Sequence, residues 1–192
     1  MEDNIEKKEN RKSRYSKMVM RESLMELMKE KSILSVSVKD ICDLADISRS
    51  TFYDHYKDQY DLLKQIEDET LDYFEDMLIR YKDKQTKKET GQMVEEMLTY
   101  IANNGNTIHV LLSENGDIGF QKKLLYHFIM HNQITKYFSE NQQSQETMPY
   151  YTVFLVHGAI GLIQHWLKDN MTMPIPQLAK MLMKWTEHQI KF

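Results

Sequence analysis

An all-α fold is what this sequence predicts, with a small three-helix head at the N-terminal end and a larger helical body behind it. Three observations carry that expectation. Apolar residues recur three or four apart along nearly the whole chain, which is the period of a helix face. Proline is absent before Pro149. The stretch from Ser37 to Leu63 reads as two short helices joined by a tight turn, the second carrying hydroxyl, guanidinium and aromatic groups outward.

The first predicted helix covers about Arg11 to Glu30, with Met18, Leu24, Met25, Leu27 and Met28 on its apolar side, and Lys31 and Ser32 end it. Its leading end is basic (Lys7, Lys8, Arg11, Lys12, Arg14, Lys17). Two readings of that leader stand: an arm for the minor groove, or a solvated lead-in. The second helix takes Val38, Ile41, Leu44 and Ala45 as one stripe. Ser37 caps it, and with Asp40 three residues on it forms a capping-box pattern, each side chain reaching an orphan amide. Asp46 ends it, because a sharp turn needs a residue that accepts positive φ, and Asp does so better than most. Ile47 fills the corner and Ser48 caps the third helix. Phe52 and Tyr56, four apart, point inward, leaving Arg49, Ser50, Thr51, Tyr53 and His55 outside.

Those outward groups suit a DNA duplex: Arg49 matches guanine bidentately, while hydroxyls and an imidazole reach phosphate oxygens. Lys57, Asp58 and Gln59 stand at the entry to a fourth helix, where backbone amides and a lysine favour phosphate. The segment resembles the N-terminal helix-turn-helix of the TetR/AcrR family of bacterial transcriptional regulators. The likeness lies in Leu44-Ala45-Asp46-Ile47-Ser48 at the turn and in Thr51, Phe52, Tyr53, Asp54, His55 and Tyr56 after it. It implies phosphate contacts for Thr51, Tyr53 and His55 and base reading for Arg49 and Ser50. There are three departures: Asp46 stands where the family has Gly, Gln59 where it commonly has a phosphate-binding Lys, and Ser50 where many members have Gly or Ala. With Ser37, Lys39, Ser48 and Lys57 added, these residues make the expected surface for a double-stranded DNA operator.

The body reads as further helices: about Gln59 to Tyr81, closed by the charged run Lys82 to Lys88; Thr90 to Ala102; a short one after Asn103-Asn104-Gly105-Asn106; Asp117 to Phe138; Tyr150 to Lys168; and Pro176 to about Gln189. The division expected is a DNA-binding domain over residues 1–58 and a ligand-binding and dimerisation domain over 59–192. Tyr150 to Lys168 is apolar nearly all round, which a helix with one solvated side is not. The resemblance implies a homodimer through the last two long helices, giving Tyr151, Leu155, Ile160, Ile163, Trp166, Leu178, Leu182 and Trp185 as interface residues. Gly158 and Gly161 permit close backbone approach. It also implies a small-molecule effector among the middle helices, with Phe74, Met97, Tyr100, Phe120, Leu124, Phe128, His131, Tyr151 and Phe154 as candidate lining, though each is equally an ordinary core residue.

Net charge is −4, unlike the basic balance common in nucleic-acid modules, so the acids are expected away from the contact face. The head holds about as many acids as bases, and the net acidity falls on the body. There is no run of eighteen apolar residues and no apolar leader, so neither a membrane span nor a secretion signal is expected and the cytoplasm is the expected compartment. Cys42 is alone and reads as a small core residue. His127 and His131 stand four apart without the glutamate of a zincin, and no nucleophile elbow, phosphate loop or CxxC occurs, so neither metal, cofactor nor enzyme is expected. The functional expectation is a homodimeric, ligand-responsive regulator, most often a repressor released from a palindromic operator. The run Gly158 to Met171 also resembles some regulators of dihydroxyacetone-kinase operons that act as activators with a partner protein. That keeps open an alternative in which the body binds a protein instead of a free small molecule.

Overall fold

The structure, a computed structural model, describes residues 11–83, 86–130 and 148–187. Among the described residues the regular elements are helices: α1 (Arg11–Glu30), α2 (Val38–Ala45), α3 (Arg49–Tyr53), α4 (Gln59–Arg80), α5 (Lys87–Asn103), α6 (Gly105–Leu111), α7 (Ile118–Met130), α8 (Met148–Lys168) and α9 (Ile175–Glu187), with a 3-10 turn at Ile33–Ser35. The chain divides into two compact units, Met1–Glu67 and Asp68–Phe192, and α4 runs from the first into the second.

In the first unit α1 packs on α2 and α3. Its buried stripe is Ser16, Met20, Ser23, Leu24, Met25 and Met28, one helical face at three- and four-residue steps. This corrects the sequence reading at two places. Met18 is exposed and Leu27 only half-buried, because the inward face is centred on Met20 and Leu24. Ser16 is tolerated inside because its hydroxyl donates to the Lys12 carbonyl, 3.0 Å away. On α2, Ile41 and Cys42 are buried, whereas Leu44, assigned to the same stripe, is 50% exposed. An eight-residue helix covered on one side has room for few inward positions, and Cys42 takes the one given to Leu44.

In the second unit α5 begins at Lys87, three residues before the expected Thr90. The charged run hides a cap: the Thr86 hydroxyl accepts from the Glu89 amide and the Glu89 carboxylate accepts from the Thr86 amide, at 3.2 and 3.1 Å. The outer part of α4 meets α5 through rings. Tyr73 and Tyr100 stack with centroids 3.7 Å apart, and Phe74 meets Tyr100 edge-on at 5.3 Å. Arg80 pairs with Glu96, and the Tyr81 hydroxyl donates to the same carboxylate. Burial, and then that bond, push the Tyr81 phenol above its ordinary value. α6 and α7 both pack on α8, and α9 packs on α5. The helix expected from Asp117 to Phe138 is described as far as Met130, and the remainder lies outside the described residues. The turn after α8 places Asn170 and Met171 at positive φ, 52° and 55°, while the Trp166 indole donates to the Met173 carbonyl at 2.8 Å. No helix of the described residues is long and apolar enough to cross a membrane.

Two glycines of this unit should respond to alanine with opposite sign. A Cβ at Gly116 would stand 2.3 Å from the Leu111 carbonyl oxygen, a backbone atom, while at Gly91 it would meet nothing within 4 Å. Gly116→Ala is expected to lower stability by about 1–3 kcal/mol through overpacking. Gly91→Ala, inside α5, is expected to raise it by about 0.5–1 kcal/mol. Urea titration of both variants checks the pair.

Candidate nucleic-acid interface

The corner between α2 and α3 is built from short-range hydrogen bonds. Ser37 is extended (φ −107°, ψ 157°); its hydroxyl accepts from the Asp40 amide and the Asp40 carboxylate accepts from the Ser37 amide, both at 3.1 Å. Lys31, beyond the end of α1, also reaches that carboxylate at 3.0 Å. The Lys31 ammonium first, and then the Ser37 amide and hydroxyl, hold the Asp40 carboxyl below the usual aspartate range. The chain leaves α2 through Asp46 at φ 53°, ψ 49°, with the Ile47 amide returning to the Cys42 carbonyl at 3.1 Å. The turn glycine is thus replaced by one of the few other residues that hold a left-handed conformation at modest cost. Burial pushes the Cys42 thiol above its ordinary value, as suits a core residue and not a reactive thiolate.

Ser48 restarts the helix, its hydroxyl accepting from the Thr51 amide at 3.1 Å and meeting the Thr51 hydroxyl at 2.9 Å. Whichever hydroxyl donates in that contact, the other keeps its O–H for a phosphate oxygen. Phe52 and Tyr56 are buried with ring centroids 5.7 Å apart, and they anchor the short helix from beneath. Arg49 and Ser50 are exposed, Thr51 and His55 half-buried, and Tyr53 is 57% exposed. Helix α3 ends at Tyr53, earlier than the spacing to Tyr56 implied, and Tyr56 reaches the core through a turn whose amide still bonds the Phe52 carbonyl at 3.0 Å.

Ser35, the α2 cap Ser37, Lys39 of α2, Arg49 and Tyr53 of α3 and Gln59 of α4 line a shallow hollow of about 520 Å³, closed on its apolar side by Leu34, Val36 and Val38. Two cations, a phenol, an amide and two serine hydroxyls around one concavity fit a run of phosphodiester backbone. Ser48, Ser50, Thr51, His55 and Lys57 do not line it. The sequence reading missed the part played by residues 34 to 36, which the Ser32-capped turn folds against the head. It also left the α4 entry too open. The Lys57 amide is bonded to the Asp61 carboxylate at 3.0 Å and the Asp61 amide to Asp58 at 2.8 Å. Those two amides are therefore occupied by the chain's own carboxylates.

The residues expected to line an effector site are distributed as follows. Phe74, Phe120 and Leu124 are buried, Met97 and Tyr100 half-buried. Phe74 and Tyr100 come together, with Tyr73, which the sequence reading passed over. Phe154 is 65% exposed and does not join them. His131 and the side chains of Phe128 and Tyr151 lie outside the described residues, as does the His127 side chain. Among the described residues no group of three or more His, Cys, Asp or Glu is placed to hold a metal ion.

The residues expected at a dimer interface are distributed as follows. Ile163, Trp166, Leu178 and Leu182 are buried within the single chain, because α8 is covered on one side by α6 and α7 and α9 rests on α5. Ile160 is half-buried, and the side chains of Tyr151, Leu155 and Trp185 lie outside the described residues. Among its described side chains, what α8 turns outward is Tyr150, Val153, Phe154, His157, Gly158, Gly161, His165 and Lys168.

The capped corner, the buried Phe52 and the cationic hollow define a helix-turn-helix DNA-binding protein. A profile of bacterial regulatory proteins of the tetR family matches residues 22–66, and one of the transcriptional regulator C-terminal region matches residues 88–188. The chain belongs to the TetR family of transcriptional regulators. No curated protein matches the sequence. Among solved structures, a TetR transcriptional regulator from Streptococcus agalactiae is similar at 22% identity, covering 93% of this chain and 97% of its own, with a TM-score of 0.59. The transcriptional regulator FadR from Bacillus subtilis, in complex with stearoyl-CoA, is similar at 15% identity over 88% of this chain and 96% of its own, with a TM-score of 0.65. The dihydroxyacetone kinase operon activator DhaS is similar at 16% identity over 92% and 96%, with a TM-score of 0.53.

The Asp40 linkage has a definite sign. Because its carboxyl is held below the ordinary value of 3.8 in the folded chain, its stabilising effect is full above that value and fades as the pH falls below it. Thermal melts from neutral pH down to about pH 3 should therefore show a steeper loss for the native chain than for Asp40→Asn, which lacks the titrating group. Parallel curves would remove the cap's ionic component.

Proposed function

We propose that this regulator acts as a homodimer on a palindromic operator and that a small molecule in the body releases it, making it a repressor. The observation that carries the DNA-reading half is the exposed edge of α3: Arg49, Ser50 and Tyr53 project from a helix fixed at its start by Ser48 and beneath by Phe52. Arg49 is the base reader. Lys39, Tyr53 and the remaining O–H of the Ser48 and Thr51 pair hold phosphates, with Ser37, His55 and Lys57 around them. One such head spans only a few base pairs, and pairing two by a twofold axis supplies successive major grooves, about 34–36 Å apart. Domain roles are assigned as DNA binding over 1–58 and sensing and assembly over 59–192.

Pairing is assigned to the outward face of α8. Tyr150 and Phe154 are 80% and 65% exposed beside Gly158 and Gly161, at whose Cβ positions nothing lies within 4 Å. The face carries no acid to repel its own copy. The effector is assigned to the body around Phe74, Met97, Tyr100, Phe120 and Leu124, an apolar and aromatic set that suits an apolar ligand; the similar fold of FadR holds stearoyl-CoA. The coupling is through α4, the one helix common to both units. A second reading, an activator whose body holds a partner protein, is favoured by the exposed Ile118 and Tyr126 on α7. Thermal stabilisation by small molecules supports the first reading, and stoichiometric capture of a co-encoded protein the second.

Selection from random duplex DNA at stated salt tests the reading. A palindromic motif is expected. Arg49→Ala should lose about 1–3 kcal/mol of discrimination at the bases it contacts, whereas Tyr53→Phe should weaken all sequences alike; an unchanged base preference in the Arg49 variant would falsify its assignment. Phe154→Glu should convert a dimer to a monomer in sedimentation with little loss of helix, since the side chain is exposed in the single chain. Ile163→Glu should unfold the body instead.

A further inference from the structure

Leu34 is the most exposed large apolar side chain described in the first unit, at 79%. A single exposed leucine needs no explanation, but this one is neither loose nor alone. Its turn is closed by backbone amides: that of Leu34 donates to the Ser32 hydroxyl at 3.2 Å, that of Ser35 to the Ser32 carbonyl at 2.9 Å and that of Val36 to the Ile33 carbonyl at 3.2 Å. Val36, two residues on, is buried, and Lys31, just ahead of the turn, is tied to the Asp40 carboxylate of α2. The turn is therefore fixed to the head on both sides of Leu34, and little backbone freedom is left to lose when that side chain meets a partner.

Leu34 opens on the hollow that also takes in Lys39, Arg49 and Tyr53, and none of the residues lining it is an acid. Two cations select an anionic occupant, but a wall of Leu34, Val36 and Val38 offers nothing to a bare anion. A DNA strand presents both surfaces in alternation, a charged phosphate and then the C–H face of a deoxyribose.

We propose that Leu34 is a DNA-contact residue that packs on a deoxyribose next to the phosphate held by Lys39, an inference that rests on the assignment of Lys39 and Tyr53 to phosphates above. The sugar, and not a thymine methyl, is the partner, because Leu34 precedes α2 and stands with Ser37 and Lys39, whereas the groups assigned to base edges stand on α3. Such a contact releases no counterion, so it adds affinity that salt does not remove and that every sequence shares.

Dissociation constants across a salt series test it, for the native chain and for Leu34→Ser, Leu34→Met and Lys39→Ala. The probes are the duplex enriched in the selection above, the same duplex with uracil for thymine, and a scrambled duplex, with thermal melts of each protein alongside. Leu34→Ser is expected to bind about three- to tenfold more weakly than the native chain on all three, the effect of losing part of a leucine's burial, with its melt and its salt dependence unchanged. Leu34→Met keeps the apolar surface and is expected to bind within about twofold of the native chain. Lys39→Ala should instead flatten the salt dependence by about one phosphate contact. Native affinity in Leu34→Ser would overturn the proposal, and so would a loss accompanied by a lowered melt, which would make the role structural. A loss confined to the enriched duplex, or absent with uracil, would make Leu34 a base reader and overturn it equally. A native chain that enriches and binds no duplex would sink the phosphate assignment as well, a result distinct from one in which the native chain binds and Leu34→Ser matches it.

Discussion

The burial of Phe52 is the contact on which the DNA-reading surface depends. A five-residue helix has no stability of its own, because fixing the first turn costs more than its few hydrogen bonds return. It exists here because Phe52 is sealed beneath it, Tyr56 follows into the same core, and Ser48 satisfies the Thr51 amide of its first turn. With the inner side so fixed, Arg49, Ser50 and Tyr53 have no choice but to project outward. The capping box at Ser37 and the left-handed Asp46 act on the other arm of the corner, holding α2 at the angle that lets Phe52 reach the core.

The same logic, in which one buried side dictates the opposite exposed one, organises α8. Val156, Ile163 and Trp166 are covered within the chain, and this turns Tyr150, Phe154, His157 and Gly161 to solvent. The head thus presents polar and cationic groups, the body an uncharged helix face flanked by histidines. Net acidity is no obstacle to DNA binding in such a chain, because a duplex responds to the local field at the surface it meets, on the proposed reading that of Lys39 and Arg49, and not to the charge of the whole. Two acids of the head, Asp58 and Asp61, are spent on capping the start of α4.

Much of the head was legible because its determinants are local. Ser37 with Asp40, Asp46, and Ser48 with Thr51 interact over three residues or fewer, so residue type and spacing nearly prescribe the geometry. The same kind of signal, Thr86 with Glu89, marks the start of α5 but sat inside a charged run read as a break. Errors appeared where burial depends on a neighbour: Leu44 and Met18 match the apolar spacing yet face out, since α1 and α2 each bury only the side that their partner covers.

Alone, the sequence determined the helical class, the corner and its caps, and the identity of the outward groups on α3, all consequences of hydrogen bonds and periodicity within a turn or two. Tertiary structure decided the rest. A helix as uniformly apolar as α8 contains no period that tells inside from outside, so only the packing of α6 and α7 against it could assign Ile163 and Trp166 to the core and Phe154 to the surface. The hollow shared by Lys39, Arg49, Tyr53 and Gln59 likewise exists only once three helices and the turn at Ile33–Ser35 converge, because no stretch of sequence holds those side chains together.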